Sequence, residues 1–128
     1  MAEANRGSRP LSPHLTIYRP QLTSMLSILH RMTGVGLGLG GILAVWWFLA
    51  ASAGPEYFAF VDGALTSWLG GIVMLGLLVA LWYHFCNGIR HLVWDAGFGF
   101  EIATVHRSAY ATAAGTVALT VITLIAAF

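Results

Sequence analysis

The sequence predicts an all-α membrane protein built on three transmembrane helices. Of its 128 residues, 58% are hydrophobic and 9% are charged, whereas a soluble domain carries about 25% charged residues. Asp, Glu, Lys and Arg are absent from three long stretches, residues 32–55, 63–89 and 108–128. Each stretch exceeds the roughly 18 residues that cross a hydrocarbon core. When the spans are this long and this few, only helices satisfy every backbone hydrogen bond inside the membrane.

We expect residues 1–128 to form a single membrane-anchor domain, with transmembrane helices at about residues 24–52, 64–95 and 105–128. Three prolines prevent a long helix in residues 1–23, yet this segment is too apolar for a free tail. We expect it to lie on the inner membrane face, either under a soluble partner or as an ordered lead-in without one.

Arginine placement predicts the orientation. The first loop carries Glu56 and Asp62, whereas the arginines lie in the N-terminal segment or flank the second loop: Arg6, Arg9, Arg19, Arg31, Arg90 and Arg107. By the positive-inside rule, the N-terminus and the second loop face the cytoplasm. We expect a bacterial inner membrane, with the mitochondrial inner membrane as the less favoured alternative. Since the chain has no basic patch, we expect no nucleic-acid partner.

The second span carries a polar stripe. Successive helical residues turn by about 100°, so His84, Gly88, His91 and Asp95 share one face. A histidine at membrane depth is expensive and therefore a functional candidate. Gly88, one turn from His84, leaves room for a porphyrin edge, and the spacing of His91 and Asp95 suits a hydrogen bond or ion pair. Spacing alone allows either a haem ligand at His84 or a structural or proton-relay histidine.

A second haem ligand within this chain is not expected. His84 and His91 lie about 10 Å apart along one helix face, so they cannot bind opposite sides of one iron. His30 is expected at the mouth of the first helix, whereas His84 lies roughly 15 Å from the end of the second. Because these depths differ, we expect any second histidine ligand to come from another chain.

The entry to the first span offers a second candidate site. Ser27 and Arg31 are four residues apart, with His30 beside them, so their side chains share a face. A hydroxyl and a guanidinium can bind a quinone carbonyl or a haem propionate. The alternative is an arginine that reaches lipid phosphates and a serine that caps the helix.

Two motifs resemble those of the cytochrome b membrane-anchor (large, or C) subunits of succinate dehydrogenase, respiratory complex II. The first motif runs from Arg9-Pro10 through Leu-Ser-Pro-His-Leu-Thr-Ile-Tyr and continues at Ser27-Ile-Leu-His-Arg-Met-Thr33. The second is His84-x-x-x-Gly-Ile-Arg-His-Leu-Val-Trp-Asp95-x-Gly97. With the three spans, these motifs cover nearly the whole chain.

The resemblance implies a role for each candidate residue. His84 would be an axial ligand of haem b, shared with a small membrane-anchor subunit that supplies the second ligand. Ser27 and Arg31 would help to form the ubiquinone site, and His30 and Arg31 would lie near the haem propionates. His91 and Asp95 would act either in proton supply or as a structural pair.

The resemblance also implies partners and an activity. An iron–sulfur subunit and a flavoprotein subunit would dock on the inner face, and lipid would surround the spans. The chain would pass electrons from the iron–sulfur subunit to quinone and would hold no succinate-oxidising site of its own. The alternative from a different class is a purely structural membrane anchor that binds neither haem nor quinone.

Overall fold

The computed structural model describes residues 17–127, which form four helices: α1 (Leu22–Ala53), α2 (Pro55–Thr66), α3 (Trp68–Asp95) and α4 (Ile102–Ala127). Helices α1, α3 and α4 are long and apolar enough to cross a membrane, which confirms the predicted fold class. Most of the segment expected on the inner membrane face, residues 1–16, lies outside the described residues, as does Phe128. The assignment of a single domain stays a prediction.

The three long helices alternate in direction. Tyr83 Oη in α3 donates to the carbonyl of Leu26 near the start of α1, at 2.8 Å. Further along α1, a Cβ at Gly40 would meet Leu77, which comes earlier in α3. Near the end of α3, Arg90 Nε donates to Ser108 Oγ near the start of α4, at 2.9 Å. Earlier in α3, Trp82 Nε1 donates to Thr123 Oγ1 near the end of α4, at 2.9 Å. Helix α3 therefore packs between its two neighbours. The starts of α1 and α4 and the end of α3 lie at one end of the bundle, which we call the Leu22 end.

A short helix, α2, occupies the first loop, where the sequence had indicated no further helix. Gly54 ends α1 with a φ of 140°, a conformation that favours glycine. Pro55 then starts α2 at a position where its missing N–H is not needed. Trp47 Nε1 in α1 donates to Asp62 Oδ1 at 3.0 Å, and Val61 is fully buried. These contacts hold α2 across the end of the bundle opposite to the Leu22 end.

The interior of the bundle is small and polar, while the outside is apolar. Large side chains such as Trp68 and Ile102 are mostly exposed. The buried residues are chiefly short or polar ones: Leu26, Ala50, Val61, Ala109, Asn87, Arg90, Thr112, Thr116 and Thr120. Lipid tails are as apolar as leucine, so membrane helices pack through small residues and hydrogen bonds rather than through a hydrophobic core. The apolar outer surface suits lipid and neighbouring helices.

Candidate functional site

Three histidines form a row between α1 and α3. The rings of His30 and His84 are stacked, with centroids 3.9 Å apart and planes 11° apart. The His91 ring is the third member of the row, and its centroid lies 5.0 Å from that of the His30 ring. The face of α3 that the sequence predicted to carry His84 and His91 is therefore turned towards α1.

The expectation that His30 and His84 lie at different depths is wrong. Helix α1 begins at Leu22, so His30 lies about 12 Å inside the helix rather than at its mouth. Because α3 runs in the opposite direction and ends at Asp95, His84 comes to the same level. The depth argument for a second ligand from another chain therefore fails, and that inference needs a different basis.

Hydrogen bonds fix the tautomer of His84. Its Nδ1 lies 3.1 Å from the carbonyl oxygen of His30 and 3.3 Å from Thr33 Oγ1. A carbonyl oxygen only accepts, so Nδ1 carries the proton. The Thr33 hydroxyl already donates to carbonyl oxygens of its own helix, 2.8 Å and 2.9 Å away, and so accepts from His84. Nε2 consequently keeps its lone pair, which is the form that a metal ligand requires.

Gly34 leaves room for the His84 ring beside α1. A Cβ at Gly34 would lie 3.0 Å from His84 Cε1, closer than ordinary van der Waals contact. A Cβ at Gly88 would lie 3.8 Å from His30 Cε1, so the nearest side chain to Gly88 is the His30 ring. Gly34 is thus the glycine that lets the His84 ring approach α1.

A cleft of about 370 Å³ opens beside the histidine row at the Leu22 end. Helices α1 and α3 line it, with Thr23, Ser24, Ser27, Ile28 and Arg31 from α1 and His91 and Trp94 from α3. Arg31 is exposed, whereas Ser27, His91 and Trp94 are half-buried. A hydroxyl, a guanidinium, an imidazole and an indole therefore face one small space.

Comparison with known proteins decides the family. Residues 5–123 match the model of the succinate dehydrogenase/fumarate reductase transmembrane subunit. The chain belongs to that family. A succinate dehydrogenase cytochrome b556 subunit from Paracoccus denitrificans is 50% identical over 128 residues, 100% of this chain and 98% of the relative. The resemblance found in the two motifs is confirmed.

Other relatives carry the same kind of description. A cytochrome b556 subunit from Rickettsia conorii is 43% identical over 114 residues, 89% of each chain. A cytochrome b560 subunit of succinate dehydrogenase from Marchantia polymorpha is 42% identical over 107 residues, 79% of this chain and 77% of the relative. This member of the succinate dehydrogenase cytochrome b family is therefore a membrane subunit of an oxidoreductase complex.

Asp95 does not join the site that the other candidates form. Its side chain is exposed and does not line the cleft. Within residues 17–127, the hydrogen bonds and ion pairs include none between His91 and Asp95. Their four-residue spacing permits such a pair, but in this member of the family His91 instead packs edge-on against Trp94, with ring centroids 5.3 Å apart. A role for Asp95 in proton supply stays a prediction.

The sequence reasoning assigned no site role to three residues that the structure brings to this region: Thr33, Trp94 and Arg90. Thr33 bonds to His84, Trp94 forms a wall of the cleft, and the Arg90 guanidinium lies 4.0 Å from the Trp94 ring centroid. Arg90 and Trp94 are four residues apart, a spacing that places two side chains together on a helix. The contact between Arg90 and Trp94 could therefore have been predicted from the sequence.

Proposed function

We propose that this chain is the haem-binding and quinone-site subunit of a succinate:quinone oxidoreductase. It would pass electrons from the iron–sulfur subunit to ubiquinone, which joins the tricarboxylic acid cycle to the respiratory chain. The observation that carries the proposal is the placement of His84: its Nδ1 is hydrogen-bonded, which leaves the lone pair of Nε2 for a metal, and its row of histidines extends through His91 to the Ser27–Arg31 cleft. Succinate oxidation is assigned to the flavoprotein subunit.

The residues around His84 fit haem b. The carbonyl of His30 and the hydroxyl of Thr33 orient the ring, as outer groups commonly do for metal-bound histidine. His30 Nδ1 is buried without a partner among residues 17–127, and Arg31 is exposed nearby. We assign these two residues to the vicinity of the haem propionates. When bound, haem b supplies a one-electron carrier.

The second haem ligand is assigned to the small membrane-anchor subunit. From this chain, His84 alone would hold the haem iron. His30 would not share it, because its ring is stacked on that of His84 with centroids 3.9 Å apart, which leaves no room for a haem between the two rings. His91 would not share it either, because it lies on the same helix face as His84. This argument from ring contact replaces the argument from depth.

Ser27 and Arg31 would hold the quinone. Both side chains can donate to a carbonyl oxygen, and the guanidinium offers a charged, planar fork of donors. Donors that already point at that oxygen stabilise the negative charge that develops as the quinone is reduced. Ile28 and the Trp94 indole give the cleft apolar walls for the quinone ring. His91, which also lines the cleft, is the nearest candidate for proton supply.

The position of the cleft supports the proposed arrangement of partner subunits. The Leu22 end carries Arg107, which follows the second loop. In the sequence, the arginine-rich N-terminal segment precedes Leu22, so we propose that the cytoplasm of a bacterial cell lies on this side. The iron–sulfur and flavoprotein subunits would dock there, next to the quinone cleft. The small membrane-anchor subunit and lipid would cover the apolar sides of the bundle.

A pyridine haemochrome assay on the complex, purified in detergent with all its subunits, tests the proposal. We expect haem b at one equivalent per copy of this chain, together with succinate-dependent reduction of a soluble ubiquinone analogue. An assembled complex without haem b would instead support the purely structural anchor.

Replacing Gly34 by alanine should disturb the haem site specifically. The added methyl would lie 3.0 Å from His84 Cε1, so the ring has to tilt or move. We expect a shifted haem absorption maximum and a changed midpoint potential, measured by spectroscopic redox titration. Gly36→Ala is the matched control on the same helix, because nothing lies within 4 Å of its added Cβ. Equal spectra for the two variants would contradict the placement of the haem at His84.

A further inference from the structure

Arg90 is a buried cation inside a membrane-spanning helix. Only 5% of its surface is exposed within this chain alone, so a partner subunit has little access to it. Among residues 17–127, its three hydrogen-bond acceptors are neutral: Ser108 Oγ at 2.9 Å, Asn87 Oδ1 at 3.4 Å and the Val105 carbonyl at 3.4 Å. A buried charge with neutral partners is expensive. Packing of α3 against α4 does not by itself require a charge, because other buried positions of the same interior hold uncharged threonines: Thr112, Thr116 and Thr120.

The guanidinium is anchored on one side and stacked on the other. Ser108 and Val105 belong to α4, so two of its hydrogen bonds fix it against that helix. Its Cζ lies 4.0 Å from the centroid of the Trp94 ring, in cation–π geometry. The indole is also held at its edge, where Nε1 donates to the Gly99 carbonyl at 3.2 Å. Trp94 is therefore fixed by α4 through Arg90 and by the α3–α4 loop through Gly99.

This fixed indole is a wall of the cleft that contains Ser27 and Arg31. We infer that Arg90 is a positioning residue for the quinone: it acts through Trp94, whose ring it holds at the position that closes the apolar side of the cleft. The inference rests on the proposed quinone function of this cleft. It assigns to Arg90 an effect on quinone binding, although Arg90 itself does not line the cleft.

The test is a double-mutant cycle between Arg90 and Trp94 in the assembled complex. Arg90→Met should raise the KM for a soluble ubiquinone analogue about fivefold through loss of the stacked cation, with a smaller change in kcat. The haem spectrum and succinate oxidation by an artificial acceptor that bypasses the quinone site should stay normal. In a Trp94→Leu background the same substitution should cause no further change in KM. An unchanged KM in Arg90→Met, or equal effects with and without Trp94, would overturn the inference.

Two further variants keep the test decisive. Arg90→Lys keeps the charge but cannot bond to Ser108 and Val105 while lying flat on the indole. If Arg90→Met does not assemble, Arg90→Lys takes its place in the cycle, with an expected rise in KM of about twofold. An unchanged KM would then count against the inference.

Thr123→Val removes a different hydrogen bond between α3 and α4, the one from Trp82, and should leave KM unchanged. A rise equal to that of the Arg90 variants would reduce Arg90 to helix packing.

Failure of this inference is separable from failure of the proposed function. If Arg31→Leu raises the KM or lowers turnover and Arg90→Met does not, the quinone site stands and the positioning role falls. If neither variant affects quinone reduction, the quinone does not bind in this cleft and both proposals fall.

Discussion

Replacement of His84 by alanine should remove the haem b spectrum of the unaltered complex. The ring is held by the His30 carbonyl and Thr33, and its free Nε2 is the atom assigned to iron. Without the imidazole, this chain would no longer hold the haem iron, and the identity of its ligands is a principal determinant of the spectrum and potential of a haem. The measurement is the reduced-minus-oxidised difference spectrum of the purified complex, with haem content determined in parallel.

The control for this variant is His106→Ala. His106 is exposed near the start of α4 and does not line the Ser27–Arg31 cleft, so the spectrum should stay normal. A normal haem spectrum in His84→Ala would remove His84 from the iron and, with it, the main argument for haem binding by this chain. The purely structural role would then be the better description of α3.

The spans and the composition of the site were accessible from sequence, because both follow from helical periodicity. Long runs without charge can only be membrane helices at this length. Once α3 is a helix, the seven-residue spacing of His84 and His91 places both rings on one face. Similarly, the four-residue spacing of Ser27 and Arg31 brings both side chains to one cleft. These relations lie within one helix and do not depend on tertiary structure.

Contacts between different helices could not be predicted from helical periodicity. The depth of His30 relative to His84 depends on how α1 and α3 are shifted along each other, and the hydropathy of each span does not give that shift. Arg90 was interpreted as a flanking charge because its burial arises from Ser108 and Val105 in α4. Helix α2 depends likewise on contacts with α1, such as the bond from Trp47 to Asp62. In each case the deciding partner is distant in sequence.

Replacing Arg31 by leucine should lower quinone-reductase turnover while leaving the complex assembled. The Arg31 guanidinium is the only Lys or Arg side chain lining the cleft within residues 17–127. Loss of a hydrogen bond from a charged donor to the developing oxyanion predicts a decrease of about 10- to 100-fold. Arg31→Lys should retain part of the activity, because it keeps the charge but not the planar fork of donors.

The assay should compare reduction of a ubiquinone analogue with succinate oxidation by an artificial acceptor that bypasses the cleft. Only the first should decrease. Arg107→Leu is the matched control, since it removes an exposed arginine from the same end of the bundle without touching the cleft. Unaltered quinone-reductase turnover in Arg31→Leu would show that the quinone is reduced elsewhere.

The Arg31 and His84 variants should fail in different ways, and this difference tests the two halves of the site separately. The groups around the His84 ring are the His30 carbonyl, the His30 ring, Thr33 and Gly34. Arg31 is not among them, so Arg31→Leu should keep most of its haem and the position of the absorption maximum. A complex that loses haem with Arg31→Leu would mean that the guanidinium serves the haem more than the quinone, and the cleft would then need a different ligand.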